Sequence, residues 1–281
     1  MPGTLFVVAT PLGHLGDLTL RAAELLRRVP VVAAEDTRRA RGLLTHLGAA
    51  PQILSYHAHS PERRLAAILE ILRDGRDVAL ISDAGTPVVS DPGADLVHAV
   101  RADGLTVVPI PGPSAVATAL SISGLAGDRY LFLGFVPRKG AERERLLRQA
   151  ASSEWSVVLF EAPSRVVEIF DDLALLAGAN RRITVARELT KLHEEIRSGT
   201  LGDLAGYYRS KAPRGEFTLV LEGNGEPPAP PDRTEEAARR ATALLAEGAT
   251  RKDIARQLAD EFALPRNEAY RLVTELPDVT E

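Results

Sequence analysis

The first half of the chain alternates short runs of β-branched and apolar residues with amphipathic helical patterns. The runs are LFVVA at 5–9, VVAA at 31–34, VALIS at 78–82 and TVVPI at 106–110. A helix between two such strands returns the chain to the start of the sheet, so this alternation is typical of a parallel sheet covered by helices. It predicts an α/β fold, with LFLGF at 131–135 as the last strand of this half.

Short polar residues and glycines mark the ends of the predicted helices. Ser60 and Asp91 are each followed by a proline, which predicts that both cap a helix at its first turn. Gly75 and Gly104 follow the last apolar positions of those helices and are predicted to end them.

The second half of the chain has a different order of elements. VPRKG at 136–140 predicts a hinge, because proline, two cations and glycine interrupt the periodic pattern. A helix over about 141–150, a strand SVVLFE at 156–161 and a helix from Ser164 to about Leu176 follow. RITVARELT, EEIRSGT and EFTLVLE are then predicted strands that lie close together in sequence, which favours a mixed sheet.

The C-terminal segment is predicted to be a small helical domain. GNGEPPAPPD at 223–232 has the composition of a linker, and three short helices follow it. Gly248 is predicted to end the first helix and Thr250 to cap the second, which carries Ile254 and Leu258 on one face. The pattern resembles a helix-turn-helix unit, with a packing or dimerising bundle as the alternative. The predicted domains are 1–136, 137–223 and 232–281.

Composition excludes several classes of protein. The 281-residue chain has no cysteine, which rules out disulfides, thiolate catalysis and cysteine-bound metals. No apolar run is long enough to span a membrane and no signal peptide is recognisable, so we expect a cytoplasmic protein without a membrane partner. His57 and His59 lack a third ligand, and no metal site is expected. The net charge of −4 argues against an overall basic nucleic-acid binder but leaves room for local basic patches.

Four turns are predicted to meet at the carboxyl edge of the first sheet. They are TPLGHLGD at 10–17, EDTRR at 35–39, SDAGTP at 82–87 and PGPSA at 111–115. Any one of them could be only a tight turn, but ligands of open α/β sheets bind outside the carboxyl ends of the strands. The chain lacks both the P-loop motif and the G-x-G-x-x-G motif. One carboxylate, two hydroxyls and free amides suit a neutral or cationic ligand with an amino group better than a polyphosphate.

The motifs together resemble those of the tetrapyrrole methylase superfamily. The similarity covers about residues 4–222 and is carried by TPLGxLxD, AEDTRR, SDAGTPxxSDPG, PIPGPSA, FLGFxPRKG, FEAPSR and ARELTKxxEE. Within the superfamily, AEDTRR, FLGFVPRKG and ARELTKLHEE are most similar to the enzymes that methylate the 2′-oxygen of a decoding-site cytidine in 16S ribosomal RNA (rRNA). The resemblance implies a cleft between two α/β domains, S-adenosylmethionine as cofactor and a homodimer.

The resemblance also implies roles for individual residues. The implied cofactor-binding residues are Pro11, Leu12, Gly13, Asp83, Gly85, Thr86, Pro87, Ser114, Ala115, Ala162 and Thr218. Asp83 would accept a hydrogen bond from the ammonium of the ligand, and Gly85 would let the ligand lie against the turn. The partner would be 16S rRNA or the small ribosomal subunit, with Arg38, Arg39, Arg138, Lys139 and Lys191 as candidates for phosphate contacts.

The general base has three candidates at this level. Removal of the proton from a ribose hydroxyl favours a carboxylate, with Asp36 as the first candidate and Glu35 and Glu188 as reserves. Asp36 could instead cap the helix that follows it or pair with Arg38. Two other functions compete with the RNA enzyme: a methylase of a tetrapyrrole or another small acceptor, and a DNA-binding regulator that senses S-adenosylmethionine.

Overall fold

The structure is a computed structural model that describes residues 1–125, 127–225, 234–246, 249–262, 264 and 266–274. The chain divides into two compact units, Met1–Gly225 and Glu226–Glu281. The larger unit contains two five-stranded sheets with helices against them, and the smaller unit contains helices alone in its described part. The predicted α/β class and the C-terminal helical region are both confirmed.

The first sheet is entirely parallel, with the strand order β3-β2-β4-β1-β5. Its strands are β1 Thr4–Val8, β2 Val31–Ala34, β3 Gln52–Ser55, β4 Val78–Ile81 and β5 Thr106–Ile110. The helices that follow them are α1 Leu20–Arg28, α2 Thr37–His46, α3 Glu62–Arg73, α4 Ala94–Ala102 and α5 Ala115–Ser123. All carboxyl ends therefore lie at one edge of the sheet, as the sequence predicted.

Helices cover both faces of this sheet because its strands are apolar on both sides. Leu25 and Leu44 of α1 and α2 pack with Val8 on one face, while Ile68 and Leu96 of α3 and α4 pack with Leu5 on the other. Helix α5 is different, since its apolar side packs against strands of the second sheet.

The second sheet is mixed, with the order β6-β7-β10-β8-β9. Its strands are β6 Tyr130–Phe135, β7 Ser156–Glu161, β8 Arg182–Arg187, β9 Glu195–Thr200 and β10 Phe217–Leu221. Only the β6–β7 pair is parallel among these strand pairs. Three helices pack on the face opposite α5, namely α6 Ala141–Ser152, α7 Val166–Ala177 and α8 Leu201–Ser210.

Three local predictions were wrong. LFLGF does not end the first sheet, because α5 packs on the second sheet and the strand after it pairs with β7. Ser60 and Asp91 do not cap helices: α3 and α4 have Pro61 and Gly93 at their N-caps. The hydroxyl of Ser60 instead accepts a hydrogen bond from the backbone N–H of His57 at 2.8 Å.

The domain boundaries stay predictions, and β6 lies in the second sheet although its residues fall in the predicted domain 1–136. Gly75 and Gly104, at φ +84° and +71°, follow the ends of their helices as expected. Most of the predicted linker and Gly248 lie outside the described residues.

The smaller unit contains α9 Thr234–Ala246, α10 Arg251–Glu261 and α11 Arg266–Thr274. Ile254 and Leu258 are fully buried against residues of the other two helices. The hydroxyl of Thr250 accepts a hydrogen bond from the N–H of Asp253, so the predicted cap is confirmed. Across the described residues, no helix combines the length and the apolar character needed to cross a bilayer.

Candidate active site

A cavity of about 410 Å³ lies between the carboxyl edge of the first sheet and strands β7 and β10 of the second. That volume is within the range of small-molecule sites, roughly 300–1,000 Å³. The turns after β1, β2, β4 and β5 line it on one side, and residues at the end of β7 and the start of β10 line it on the other. The predicted meeting of the four turns is thus observed.

Backbone hydrogen bonds hold these turns against one another. Thr10 and Gly85 exchange two of them, with N···O distances of 2.8 and 2.9 Å. The hydroxyl of Thr86 donates to the carbonyl oxygen of Pro113 at 3.1 Å, which connects the turn after β4 to the turn after β5. Gly85 has φ +77°, a conformation that L side chains rarely adopt, so glycine suits the bridge.

Carboxylates dominate the polar lining of the cavity. They are those of Glu35, Asp83, Asp91, Glu161 and Glu216. Burial and the repulsion of Asp83 raise the pKa of both Glu35 and Asp91. The guanidinium of Arg39 lies 3.6 Å from a carboxylate oxygen of Asp83. This excess of negative charge favours a cationic ligand, and no cluster of metal-binding side chains occurs in the described part of the chain.

Glu161 is the most deeply buried of these carboxylates. One of its oxygens accepts the N–H of Ala162 at 2.7 Å and lies 2.5 Å from the guanidinium of Arg165. Its other oxygen, Oε2, is buried without a hydrogen-bond partner among the described residues. Burial raises the pKa of this carboxyl group. A buried acceptor left unpaired is costly, so a donor on a bound ligand would stabilise it.

Most of the predicted cofactor-binding residues line the cavity. They are Leu12, Asp83, Gly85, Thr86, Ser114, Ala115, Ala162 and Thr218. Ser114 also caps α5, its hydroxyl accepting the N–H of Ala117. Pro11, Gly13 and Pro87 adjoin lining residues but are not on the cavity wall. Gly13 instead packs against Lys191, whose Cγ would lie 2.3 Å from a Cβ at this position.

The three candidate bases have different surroundings. Asp36 caps α2 and pairs with Arg38 at 2.7 Å, and hydrogen bonds from Arg38 lower its pKa well below the usual range. Burial alone would raise the pKa of Glu188, but hydrogen bonds from the amide of Glu216 and from Lys191 outweigh it and lower the pKa. Of the three, only Glu35 both lines the cavity and has a raised pKa. The alternative contacts considered for Asp36 are therefore both present.

The five candidate RNA contacts also separate into groups. Arg38 pairs with Asp36, and Lys191 contacts both Glu188 and Glu216 at 3.0 Å. Arg39 lines the cavity. The side chains of Arg138 and Lys139 are exposed, and neither has an ion pair or hydrogen bond with any residue that the structure describes. Of the five candidates, Arg138 and Lys139 are therefore the cations most available to a ligand.

Sequence reasoning missed part of the wall. Asp91 was expected to be purely structural, and Phe135, Phe160, Glu161 and Glu216 were not considered. Glu161 ends β7 beside Ala162, so the rule that ligands bind at strand ends would have found it. Phe135 also ends a strand, but regular alternation along β6 would point its side chain away from the cavity, and only a shift in the pairing of β6 with β7 brings it to the wall.

Comparison with known proteins identifies the family. A model described as Tetrapyrrole (Corrin/Porphyrin) Methylases matches residues 4–205. The chain belongs to this family. It is an S-adenosylmethionine-dependent methyltransferase.

Several curated relatives carry the name Ribosomal RNA small subunit methyltransferase I. The protein of Synechocystis sp. is 45% identical over 98% of both chains. That of Escherichia coli O157:H7 is 36% identical over 97% of this chain and 95% of its own length. That of Thermotoga maritima is 40% identical over 79% of this chain and 99% of its own length, so part of this chain has no counterpart there.

Solved structures of other methyltransferases share the fold. A cobalt precorrin-4 methyltransferase has a TM-score of 0.62 at 18% identity, covering 78% of this chain and 94% of its own. A uroporphyrin-III C-methyltransferase from Thermus thermophilus, complexed with S-adenyl homocysteine, has a TM-score of 0.59 at 22% identity. The match covers 78% of this chain and 97% of that protein. The predicted two-sheet methylase fold is confirmed.

The lining residues fit S-adenosylmethionine chemically. The donor has a sulfonium and an ammonium, and the cavity offers the carboxylates of Asp83, Asp91 and Glu35 to these cations. Leu12, Ala115 and other apolar side chains can bury its uncharged parts. The unpaired oxygen of Glu161 can accept one of its hydrogen-bond donors.

Proposed function

We propose that this chain methylates the 2′-oxygen of a cytidine in the decoding region of 16S rRNA. The observation that carries the proposal is the 36–45% identity, over nearly the full chain, to relatives named rRNA small subunit methyltransferases. The ribose oxygen and the cytidine rest on the resemblance of AEDTRR, FLGFVPRKG and ARELTKLHEE. In keeping with this acceptor, the protein would act in the cytoplasm on 16S rRNA or the small ribosomal subunit, as a homodimer.

In this proposal, the carboxylate of Asp83 holds the ammonium of the cofactor. Gly85, Thr86 and Ala115 form the wall beside it, and Ala162 and Thr218 complete the wall from the second sheet. S-adenosylmethionine supplies a methyl group that is already attached to a good leaving group, so the protein contributes mainly positioning. The hydrogen bonds among Thr10, Gly85, Thr86 and Pro113 fix this wall before any ligand binds.

Glu35 is the base that the geometry favours. Its carboxylate lines the cavity and its pKa is raised, so it is a better proton acceptor than an ordinary carboxylate. It would take the proton of the ribose hydroxyl as that oxygen forms its bond to the methyl carbon. Asp36 and Glu188 are weaker candidates, because hydrogen bonds from cationic neighbours stabilise their ionised forms.

Labelled S-adenosylmethionine tests this function directly. The protein would be incubated with the donor and, separately, with unmodified small subunits, free 16S rRNA, duplex DNA and a uroporphyrinoid. Nuclease digestion and mass spectrometry would then locate the label. We expect it in a 2′-O-methylcytidine, whereas label only in the macrocycle, or binding of DNA without any transfer, would contradict the proposal.

A further inference from the structure

Phe135 is an aromatic residue of the cavity wall that is also exposed to solvent. It lines the cavity, yet 54% of its surface is exposed. Its ring centroid lies 5.4 Å from that of Phe160, which is also a lining residue. A lining residue with this exposure lies where the cavity opens to solvent, so part of the ring is available to a ligand arriving from outside.

An irregularity in β6 places the ring of Phe135 on the same face of the sheet as Phe160. In a regular strand, residues three apart point to opposite faces, but Phe132 and Phe135 both contact Phe160. The pairing with β7 shifts between Phe132 and Gly134, so that Leu133 is an extra residue in a β-bulge. Bulges of this kind redirect side chains and are frequent beside active sites. Without the extra residue, Phe135 would face the helices on the other side of the sheet.

A cationic segment follows the ring directly. The carbonyl oxygens of Val136 and Pro137 accept hydrogen bonds from Arg165 and Arg143, which fixes the backbone of this segment. Arg138 and Lys139 come next and are exposed. An exposed aromatic face beside unpaired cations is the combination by which proteins bind single-stranded nucleic acid, since every base has a stacking face and every nucleotide a phosphate.

We propose that Phe135 is the stacking platform for an unpaired base of the acceptor RNA, with Arg138 and Lys139 holding the adjacent phosphates. The proposal rests on the function proposed above and adds the contact that brings the acceptor nucleotide to the mouth of the cavity. The cationic segment argues for RNA as the occupant rather than the apolar part of the cofactor. The carboxylates that line the cavity would repel phosphates and keep them outside.

Four variants test the platform: Phe135→Ala, Phe135→Leu, Phe135→Trp and Tyr130→Ala. Tyr130 is the matched control, because it is on the same strand and 50% exposed but starts β6 instead of ending it at the cavity. For each, we would measure kcat and KM on unmodified small subunits, RNA affinity by filter binding without cofactor, cofactor affinity by calorimetry, and the melting temperature.

We expect kcat/KM and RNA affinity to fall roughly 5- to 150-fold in Phe135→Ala and Phe135→Leu, the loss that removal of a base–aromatic stack produces. Phe135→Trp should retain the wild-type kcat/KM and RNA affinity, and Tyr130→Ala should behave as the wild type. Cofactor affinity should stay unchanged in all four variants. Leucine keeps most of the apolar volume, so its loss of RNA affinity would reflect the aromatic face and not folding.

Three results would each overturn the platform alone. They are a fully active Phe135→Leu variant, a loss of cofactor affinity in Phe135→Ala as large as its loss of RNA affinity, and a loss of RNA affinity in Tyr130→Ala as large as that in Phe135→Ala. If the wild type transfers no label to RNA, the proposed function fails and the platform fails with it.

Discussion

Neighbouring carboxylates in this protein differ in pKa because their surroundings differ. Glu35 and Asp36 are adjacent, yet burial and the repulsion of Asp83 raise the pKa of the first, while hydrogen bonds from Arg38 lower that of the second. Residue type and position at a strand end predict that a carboxylate will be near the ligand. They do not predict which of two adjacent carboxylates enters the cavity and which caps the next helix.

Replacement of Glu35 should remove the acid limb of the pH–rate profile. We expect Glu35→Gln to lower kcat about 10²- to 10⁴-fold at saturating cofactor, the usual contribution of a general base. In the wild type, kcat should fall as the pH drops through the raised pKa of Glu35, because the protonated group cannot accept a proton. Asp36→Asn is the control: asparagine still caps a helix, so this variant should keep kcat and its pH profile. A wild-type profile in Glu35→Gln would exclude the role.

Replacement of Asp91 should increase stability and weaken cofactor binding. Because burial raises its pKa above the ordinary 3.8, the folded state binds this proton more tightly than the unfolded state does. Stability is therefore lost as the pH rises from the ordinary value through the raised pKa. Asp91→Asn should unfold at a higher urea concentration at pH 7, and this advantage should vanish below the ordinary pKa of 3.8, where both states bind the proton. Cofactor affinity should fall about 10- to 150-fold, the loss expected for a hydrogen bond to a charged group.

Asp128→Asn, in the exposed loop before β6, is the matched control and should change neither quantity. An Asp91→Asn variant that is less stable at pH 7, or that binds the cofactor as well as the wild type, would contradict this assignment.

At the scale of elements, much of the architecture follows from local patterns. Four strands of the first sheet, the mixed character of the second and the cap at Thr250 all follow from residue type and periodicity. Strand β3, Gln52–Ser55, was not predicted. The pairing of β6 does not, because it depends on where α5 packs. The bulge at Leu133 and Gly134 was not predicted either, and with it the position of Phe135, although an isolated glycine inside a strand is a sequence signal for a bulge.

Replacement of Gly134 should disturb the bulge. Its φ of +64° disfavours a side chain, and a Cβ would lie 2.8 Å from the hydroxyl oxygen of Ser90. We expect Gly134→Ala to lower the free energy of unfolding in urea by about 1–2 kcal/mol from the backbone conformation alone, and by more from the contact.

Gly104→Ala separates the two effects, since Gly104 has φ +71° with open space around it. Adding Ser90→Ala to Gly134→Ala should recover only the part due to the contact, because alanine lacks the hydroxyl oxygen that lies at 2.8 Å and keeps the Cβ at 4.0 Å. Equal losses in Gly104→Ala and Gly134→Ala would show that the contact with Ser90 costs nothing.

At the scale of the whole molecule, charge is distributed unevenly. The net charge is −4 and the cavity is acidic, while Arg138 and Lys139 form a small exposed cationic segment near its opening. Net charge predicted neither feature, because attraction of a ligand depends on the local field. This arrangement suits a protein that holds a small cation inside and a polyanion outside.

Loss of both cations should weaken RNA binding in a salt-dependent way. We expect Arg138→Ala with Lys139→Ala to reduce the slope of log K against log salt by about one unit for each lost phosphate contact. Cofactor affinity should not change. Arg101→Ala removes an exposed cation from α4 and should leave the slope as it is in the wild type. An unchanged slope in the double variant would place the RNA elsewhere on the surface.

Helix α5 has a consequence for how ligands enter and leave. It starts at the cavity, with Ser114 of the turn after β5 as its cap, and its buried residues Val116, Ala119 and Leu120 pack with strands of the other sheet. A wide parting of the two sheets would have to pull this helix out of an apolar core. We therefore expect the cofactor to enter and leave by small movements of the surrounding turns, while the two sheets keep their relative position.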